Sequence, residues 1–321
     1  MSPPGEFALI DQYLTGLGAT RDDVALGVGD DAALVRCTAG QSLLLALDTL
    51  VEGVHFPADC PAHWVGHRAL AVNLSDLAAM GAEPAWALVG LTLPAADEAW
   101  VAGFARGLDA LAKRHGVAIV GGDVTQGPLS VSLQITGYGG PHVLRRDGAR
   151  AGDELWVSGR PGEAAAGLRI WQQGDRQSLR WQGLLAALFE PSPRVALGRR
   201  LRGIATAAID VSDGVIADAG HIARASGVGL SLDMLRVQPS ARLLACLGGD
   251  EARRCYLGGG DDYELLFTAP PKARGDIWQA ARDAATPVRC IGEATAGDGV
   301  TLQGGEPDSR MPRGYQHFSA P

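Results

Sequence analysis

Apolar residues fall in two rhythms along this chain. LLLALDTL, from Leu43, is a continuous apolar run and predicts a buried strand. From His63 to Met80 the spacing is helical, and the pattern ends at Gly81 with Pro84 shortly beyond. AWALVGLTL (85–93) predicts a strand, and DEAWVAGFARGLDALAKRHG an amphipathic helix that stops at Gly116. VAIVGGD (117–123) and LSVSLQITGYG (129–139) predict two more strands, and EFALIDQYL, from Glu6, has helical spacing.

The pattern changes near RRDGARAGDELWVSG (145–159), where polar turn residues precede a new strand, ELWVS. Helices are expected near 162–174, 178–189 and 193–202, then a strand at TAAID (206–210) and a helix over 214–227. ELLFTAP closes a strand after GGGDDY, and the last thirty residues read as short and turn-rich. Strands and helices mix throughout, which predicts an α/β (α+β) chain. A length of 321 residues favours two domains, drawn here as 1–146 and 147–321.

Composition removes several function classes. The net charge of −8 and the want of a basic stripe argue against a nucleic-acid partner. No run of 18 apolar residues occurs, so no membrane span is expected. MSPPGEFALIDQYL lacks a basic leader region, and five cysteines without a C-x-x-C pair fit reduced thiols; both point to the cytoplasm. Two of the 28 basic residues are lysines, and neither sits in a Walker motif. V-A-I-K and H-R-D are also missing, which excludes a protein kinase.

The candidate chemistry lies in acidic loops. In GVGDDAALV (27–35), Asp30 and Asp31 stand where a dinucleotide loop would offer bare backbone to a phosphate. Asp48 ends the strand LLLALD, Asp123 follows two glycines, Asp210 and Asp213 bracket DVSD, and Asp261 and Asp262 follow three glycines. Asp76, in NLSDLAAMGA, is expected on a helix instead. Any one such Asp is ordinarily a turn or cap residue, and Asp213 could equally be the N-cap of the helix starting at Gly214. As a set they repel one another and call for a cation. Oxygen ligands suit Mg²⁺, Mn²⁺ or Ca²⁺, and no EF-hand pattern is present. A polyphosphate carried with Mg²⁺ is the ligand that fits acids, glycine turns and few lysines.

These motifs together resemble the thiamine-monophosphate kinase family, within the superfamily of aminoimidazole ribonucleotide synthetase and selenophosphate synthetase. The matching stretches are GEFALIDQYL, GVGDDAALV, DTLVEGVHF, ALAVNLSDLAAMGAEPAW, GGDVTQGPLSVS, DVSDGVIADAGHIA, GGGDDYELLFT and GYQHF, in order from residue 5 to residue 318. The resemblance implies transfer of the γ-phosphoryl of ATP onto thiamine monophosphate, directly and in line, with several Mg²⁺ ions. It places metal ligands at Asp31, Asp48, Asp76, Asp123, Asp210 and Asp213. It places ATP contacts at Gly122, Asp123, Arg146 and Ser212, and acceptor contacts at His55, Asp261 and Tyr315. It implies an α/β domain at each end, with homodimers formed by N-terminal strands joined in a barrel across the two-fold. Relatives usually carry a hydroxyl residue before the strand-end aspartate, where this chain has Ala46 and Leu47.

No general base is expected, because a phosphate monoester is mostly a dianion at neutral pH and already a nucleophile. Positioning and charge neutralisation then supply most of the catalysis. A sister synthetase, a metal-dependent phosphohydrolase and a non-catalytic cation-binding protein are the competing readings.

Overall fold

The computed structural model describes residues 5–304. Tyr315 therefore lies outside the described residues. The chain divides into two compact units, one of residues up to 77 with 82–140, the other of residues 78–81 with 141 onward.

The first unit begins with α1 (Glu6–Leu9), which runs into a π-helical turn over Ile10–Leu14. Then come β1 (Val24–Leu26), β2 (Leu34–Val35), β3 (Ser42–Val51), α2 (Ala62–Ala79), β4 (Glu83–Leu93), α3 (Glu98–His115), β5 (Ala118–Gln126) and β6 (Ser130–Gly139). Four strands make an open sheet in the order β3-β6-β4-β5, antiparallel except for the β4–β5 pair. Among the described residues the strands close no barrel.

α3 is where local signals agree most closely with the structure. Asp97 caps its start by accepting from the N–H groups of Ala99 and Trp100, and Gly116 ends it with a left-handed φ of 68°. α2 is buried on nearly every side from Val65 to Ser75. It crosses α3 closely through glycines: a Cβ on Gly66 would strike the Phe104 carbonyl, and one on Gly107 the His63 carbonyl. Its Leu77 side chain packs on Gly137 of β6, which puts α2 against the sheet.

One expectation needs correction here. The apolar run of β3 is buried on one face only. Leu44 and Leu50 are buried, whereas Leu45 is 69% and Leu47 63% exposed. Successive strand residues alternate between faces, and this sheet is covered by helix on one side. On the other side, β1 and β2 pair as a short antiparallel hairpin carrying the GVGDDA loop. Val24, Ala33 and Val35 pack on Trp86, Val120 and Tyr138 at the β4–β5 end of the open face. Trp86 Nε1 donates to Asp23, which is also paired with Arg21, and so anchors the hairpin.

The second unit runs β7 (Glu154–Ser158), α4 (Glu163–Gln172), α5 (Gln182–Phe189), α6 (Val195–Leu201), β8 (Ala207–Asp210), α7 (Val215–Ser226) and β9 (Gly229–Asp233). It continues with α8 (Ala241–Leu247), α9 (Gly249–Gly258), β10 (Leu265–Ala269), α10 (Arg274–Asp283), β11 (Val288–Thr295) and β12 (Val300–Gln303). Its six-stranded sheet has the order β12-β9-β11-β7-β10-β8, antiparallel except for β12–β9. β7, β8 and β10 are buried at every position, so helices cover both faces. Leu155, Ile209, Leu230 and Leu266 meet Ala219 and Ile222 of α7 in one core. On α10, Trp278 meets Trp156 of β7 edge-on at 5.4 Å, and Trp156 stacks on Phe267 of β10.

Candidate active site

The expected aspartates of the first unit fall into two groups. Asp48 of β3 points with Leu44 and Leu50 toward the helix-covered face, where its side chain hydrogen-bonds Asp76 of α2. Burial raises the Asp48 carboxyl above its ordinary value, and the hydrogen bond with Asp76 pulls it back in part. Two carboxyls joined this way need a shared proton, or a cation in its place. One helical turn before Asp76, Asn73 is completely buried; its Nδ2 donates to Ala69, but its Oδ1 has no hydrogen-bond partner. An orphaned buried acceptor costs on the order of 1–3 kcal/mol. Asp48, Asp76 and the Asn73 amide offer oxygen atoms as ligands, which suits a hard divalent cation.

Asp31 and Asp123 lie elsewhere, around a hollow of about 1000 Å³ on the open face. The hairpin loop from Gly27 to Ala33 forms one wall, and Leu88, Gly121, Gly122 and Gln134 form another. Both acids are exposed. Gly122 is required by packing: a Cβ there would strike the Val89 carbonyl of the neighbouring strand. His55 sits in the loop after β3, with Nδ1 accepting from the N–H of Val51 at 3.0 Å. That fixes the remaining ring proton on Nε2 when the imidazole is neutral.

In the second unit, Asp210 ends β8 and is 5% exposed. The loop that follows carries Ser212 and Asp213. Asp213 is not the helix N-cap; Gly214 takes that position and no side chain caps there. The N–H groups of Ser212, Asp213 and Gly214 all donate to one oxygen of Asp218, each at 3.1 Å. Asp213, Asp218 and His221 present ligand atoms within 4.8 Å of one another, one such group among the described residues. Burial first, then the charges of Asp210 and Asp213, push Asp218 up to about 7. Arg146 is exposed, and its charge joins burial in holding His221 below the usual imidazole value.

A second loop lies against this one. Asp261 N–H donates to the Ser212 carbonyl and Tyr263 N–H to that of Val211, both at 2.8 Å. A Cβ on Gly214, whose φ is 115°, would lie 2.7 Å from Gly258 Cα. Asp261 and Tyr263 themselves take φ of 61° and 51°, a strained conformation for residues with a Cβ. Tyr263 Oη donates to Asp261 Oδ1 at 3.0 Å and aims that carboxylate.

Reading along the sequence did not single out Asn73, Asp218 or His221. The signal for the last two was present: D-x-x-H at helical spacing puts both on one face of α7. Asn73 stands in the same relation to Asp76. The orphaned state of its oxygen is a matter of tertiary packing and has no sequence signal.

Two family models match this chain: the AIR synthase related protein N-terminal domain over residues 29–139 and the corresponding C-terminal domain over 150–305. The thiamine-monophosphate kinase of Escherichia coli K12 is 43% identical over 324 residues, spanning 99% of both chains. A solved thiamine-monophosphate kinase from Stenotrophomonas maltophilia K279a is 47% identical with a TM-score of 0.87, over 94% of this chain and 98% of that one. A structure described as AaThiL complexed with AMPPCP and TMP is 30% identical with a TM-score of 0.80, over 88% and 89%.

Proposed function

The chain belongs to the thiamine-monophosphate kinase family of AIR synthase related proteins and is a kinase of that family, and we propose that it moves the γ-phosphoryl of ATP onto the phosphate of thiamine monophosphate. The observation that carries the site assignment is the hydrogen-bonded pair of carboxyls formed by Asp48 of β3 and Asp76 of α2, with the orphaned Asn73 oxygen one helical turn before Asp76. The relative described with AMPPCP, an ATP analogue, and TMP supports this pair of reactants.

Asp48, Asp76, Asp31 and Asp123 of the first unit, and Asp210 and Asp213 of the second, would hold Mg²⁺. The bound ions would neutralise phosphate charge, which is the chemistry they supply. The chain's own residues do the remaining work. Gly122, held as glycine by the Val89 carbonyl of the next strand, lines the hollow in which the phosphates of ATP would lie. Arg146 and Ser212 offer donors to ATP, and Asp123 lies beside Gly122 on the wall of the hollow. His55 and Asp261 receive the acceptor, with Asp261 aimed by Tyr263. Tyr315 completes that set by resemblance. No side chain need take a proton, since the acceptor phosphate is a dianion and attacks as such.

The uncovered Leu45 and Leu47 on the open face support a homodimer that pairs two such sheets. All five cysteines are free and no described helix is long and apolar enough to cross a membrane, in keeping with a cytoplasmic setting.

The test is ADP release with and without thiamine monophosphate, at saturating ATP and Mg²⁺. Strict dependence on the acceptor is expected. Equal phosphate release without it would replace the kinase reading with a phosphohydrolase.

A further inference from the structure

α7 is twelve residues long, and three consecutive N–H groups stand at its start. Such a terminus is ordinarily a seat for phosphate. Here the seat is already filled from within. One oxygen of Asp218, a residue 2% exposed, accepts from Ser212, Asp213 and Gly214 at 3.1 Å each. The Asp218 N–H returns a bond to the Gly214 carbonyl at 3.0 Å. The donors of this loop are therefore used inside the chain, and only its side chains remain for an outside ligand.

We propose that Asp218 is a positioning residue: its carboxylate seats the 212–214 backbone and thereby holds the Asp213 side chain in place for a divalent cation. The role rests on the reading of Asp213 as a metal ligand. The geometry supports it beyond mere capping. The ligand atoms of Asp218 and Asp213 lie within 4.8 Å of each other and of His221, so the seating oxygen's carboxylate borders the ligand it orients. The seated loop also bears the partner of Asp261, through the Ser212 carbonyl, so a shift at Asp218 would displace both loops together.

The experiment is a Mg²⁺ titration of kinase turnover on wild type, Asp218→Ala, Asp213→Ala and the double variant, with thermal melting of each. Both single variants are expected to raise the Mg²⁺ concentration for half-maximal rate by about tenfold or more, the size of losing a supporting partner of a ligand. The double variant should be no worse than Asp213→Ala, because Asp218 acts through it. Additive losses in the double variant, or an unshifted curve in Asp218→Ala beside a shifted one in Asp213→Ala, would overturn the positioning role. An unshifted curve in Asp213→Ala overturns the ligand reading and the proposal with it. If Asp218→Ala does not fold, Asp218→Asn takes its place. One neutral oxygen holds three N–H groups less firmly, so a several-fold shift at unchanged melting temperature is expected, and no shift overturns the role.

Discussion

Two loops of this chain carry the same tripeptide, Gly-Asp-Asp, and use it differently. In Gly29-Asp30-Asp31 both acids are exposed. Asp30 accepts from the N–H of Asp31, and Asp31 faces the hollow with no donor assigned to its carboxylate. In Gly260-Asp261-Asp262 the last acid is turned inward, accepting from the N–H groups of Gly162 and Ala164 at the start of α4. Two residues on, Glu264 accepts from Ser158 Oγ, Arg160 N–H and both Nε and Nη2 of Arg194. A carboxylate surrounded by donors holds the fold together. Asp48, hydrogen-bonded to a second carboxyl on Asp76, is of the kind proposed to hold a cation. The lesson is that acidity marks the candidates, and the count of donors around each sorts them.

The strongest way to break this division is to neutralise the acid whose hydrogen-bond partner is a second carboxyl. Asp48→Asn should cut kcat/KM by about 10²–10³-fold, the size of losing one electrostatic stabiliser. Its melting temperature should hold or rise, since a buried repulsion is relieved. Full turnover at limiting Mg²⁺ would place Asp48 with the structural acids.

The converse change should do the opposite. Glu264→Ala leaves the Arg194 guanidinium half-buried and unpaired, at a cost of roughly 3 kcal/mol in urea unfolding. Activity per folded molecule should fall far less than in Asp48→Asn. A Glu264→Ala protein of normal stability would mean that this well-bonded cluster is dispensable to the fold.

How much of this was legible beforehand follows from distance along the chain. Helix α3 was readable because its cap, its apolar stripe and its terminal glycine are neighbours in sequence. The acidic loops were readable as loops for the same reason. Which acids would be saturated was not, because Glu264 draws Arg194 from 70 positions away and Ser158 from 106. Asp213 could equally have been a ligand or the N-cap of α7; Gly214 holds the cap position, and Asp218, five residues on, takes the Asp213 N–H. β3 looked buried because an apolar run does not say how many faces of its sheet are covered. β9, β11 and β12 escaped notice: β9 and β12 are short, and β11 mixes polar with apolar residues and is interrupted by a bulge between Cys290 and Gly292.

A smaller effect separates the two loops by pH. Burial, with Glu264 and Asp261 nearby, raises Asp262 well above the ordinary carboxylate value against its two backbone N–H bonds. Between the unfolded value and that raised one, the native state binds more protons than the unfolded chain. Stability therefore falls as pH rises through that window and is fully present below it. Asp262→Asn keeps an acceptor for Gly162, removes the titration and should flatten this slope, with a change of about 1 kcal/mol at neutral pH. An unchanged slope would mean that Asp262 stays ionised throughout and that its backbone donors outweigh its burial.

The least effect should come from the first acid of the exposed loop, and that contrast tests the donor count most finely. Asp30 and Asp31 are adjacent, equally charged and both exposed, so a general repulsion from this loop would make them interchangeable. They differ in that Asp30 already has a donor, the N–H of Asp31 at 2.8 Å. Asp30→Ser preserves a short acceptor for that N–H and should change stability by no more than about 0.5 kcal/mol. Its Mg²⁺ requirement should stay within about twofold of wild type, whereas Asp31→Asn should raise that requirement by about tenfold. Equal shifts in the two variants would show that the loop acts through its summed charge, and the distinction between bonded and unbonded carboxylates would then fail where it is most exposed to test.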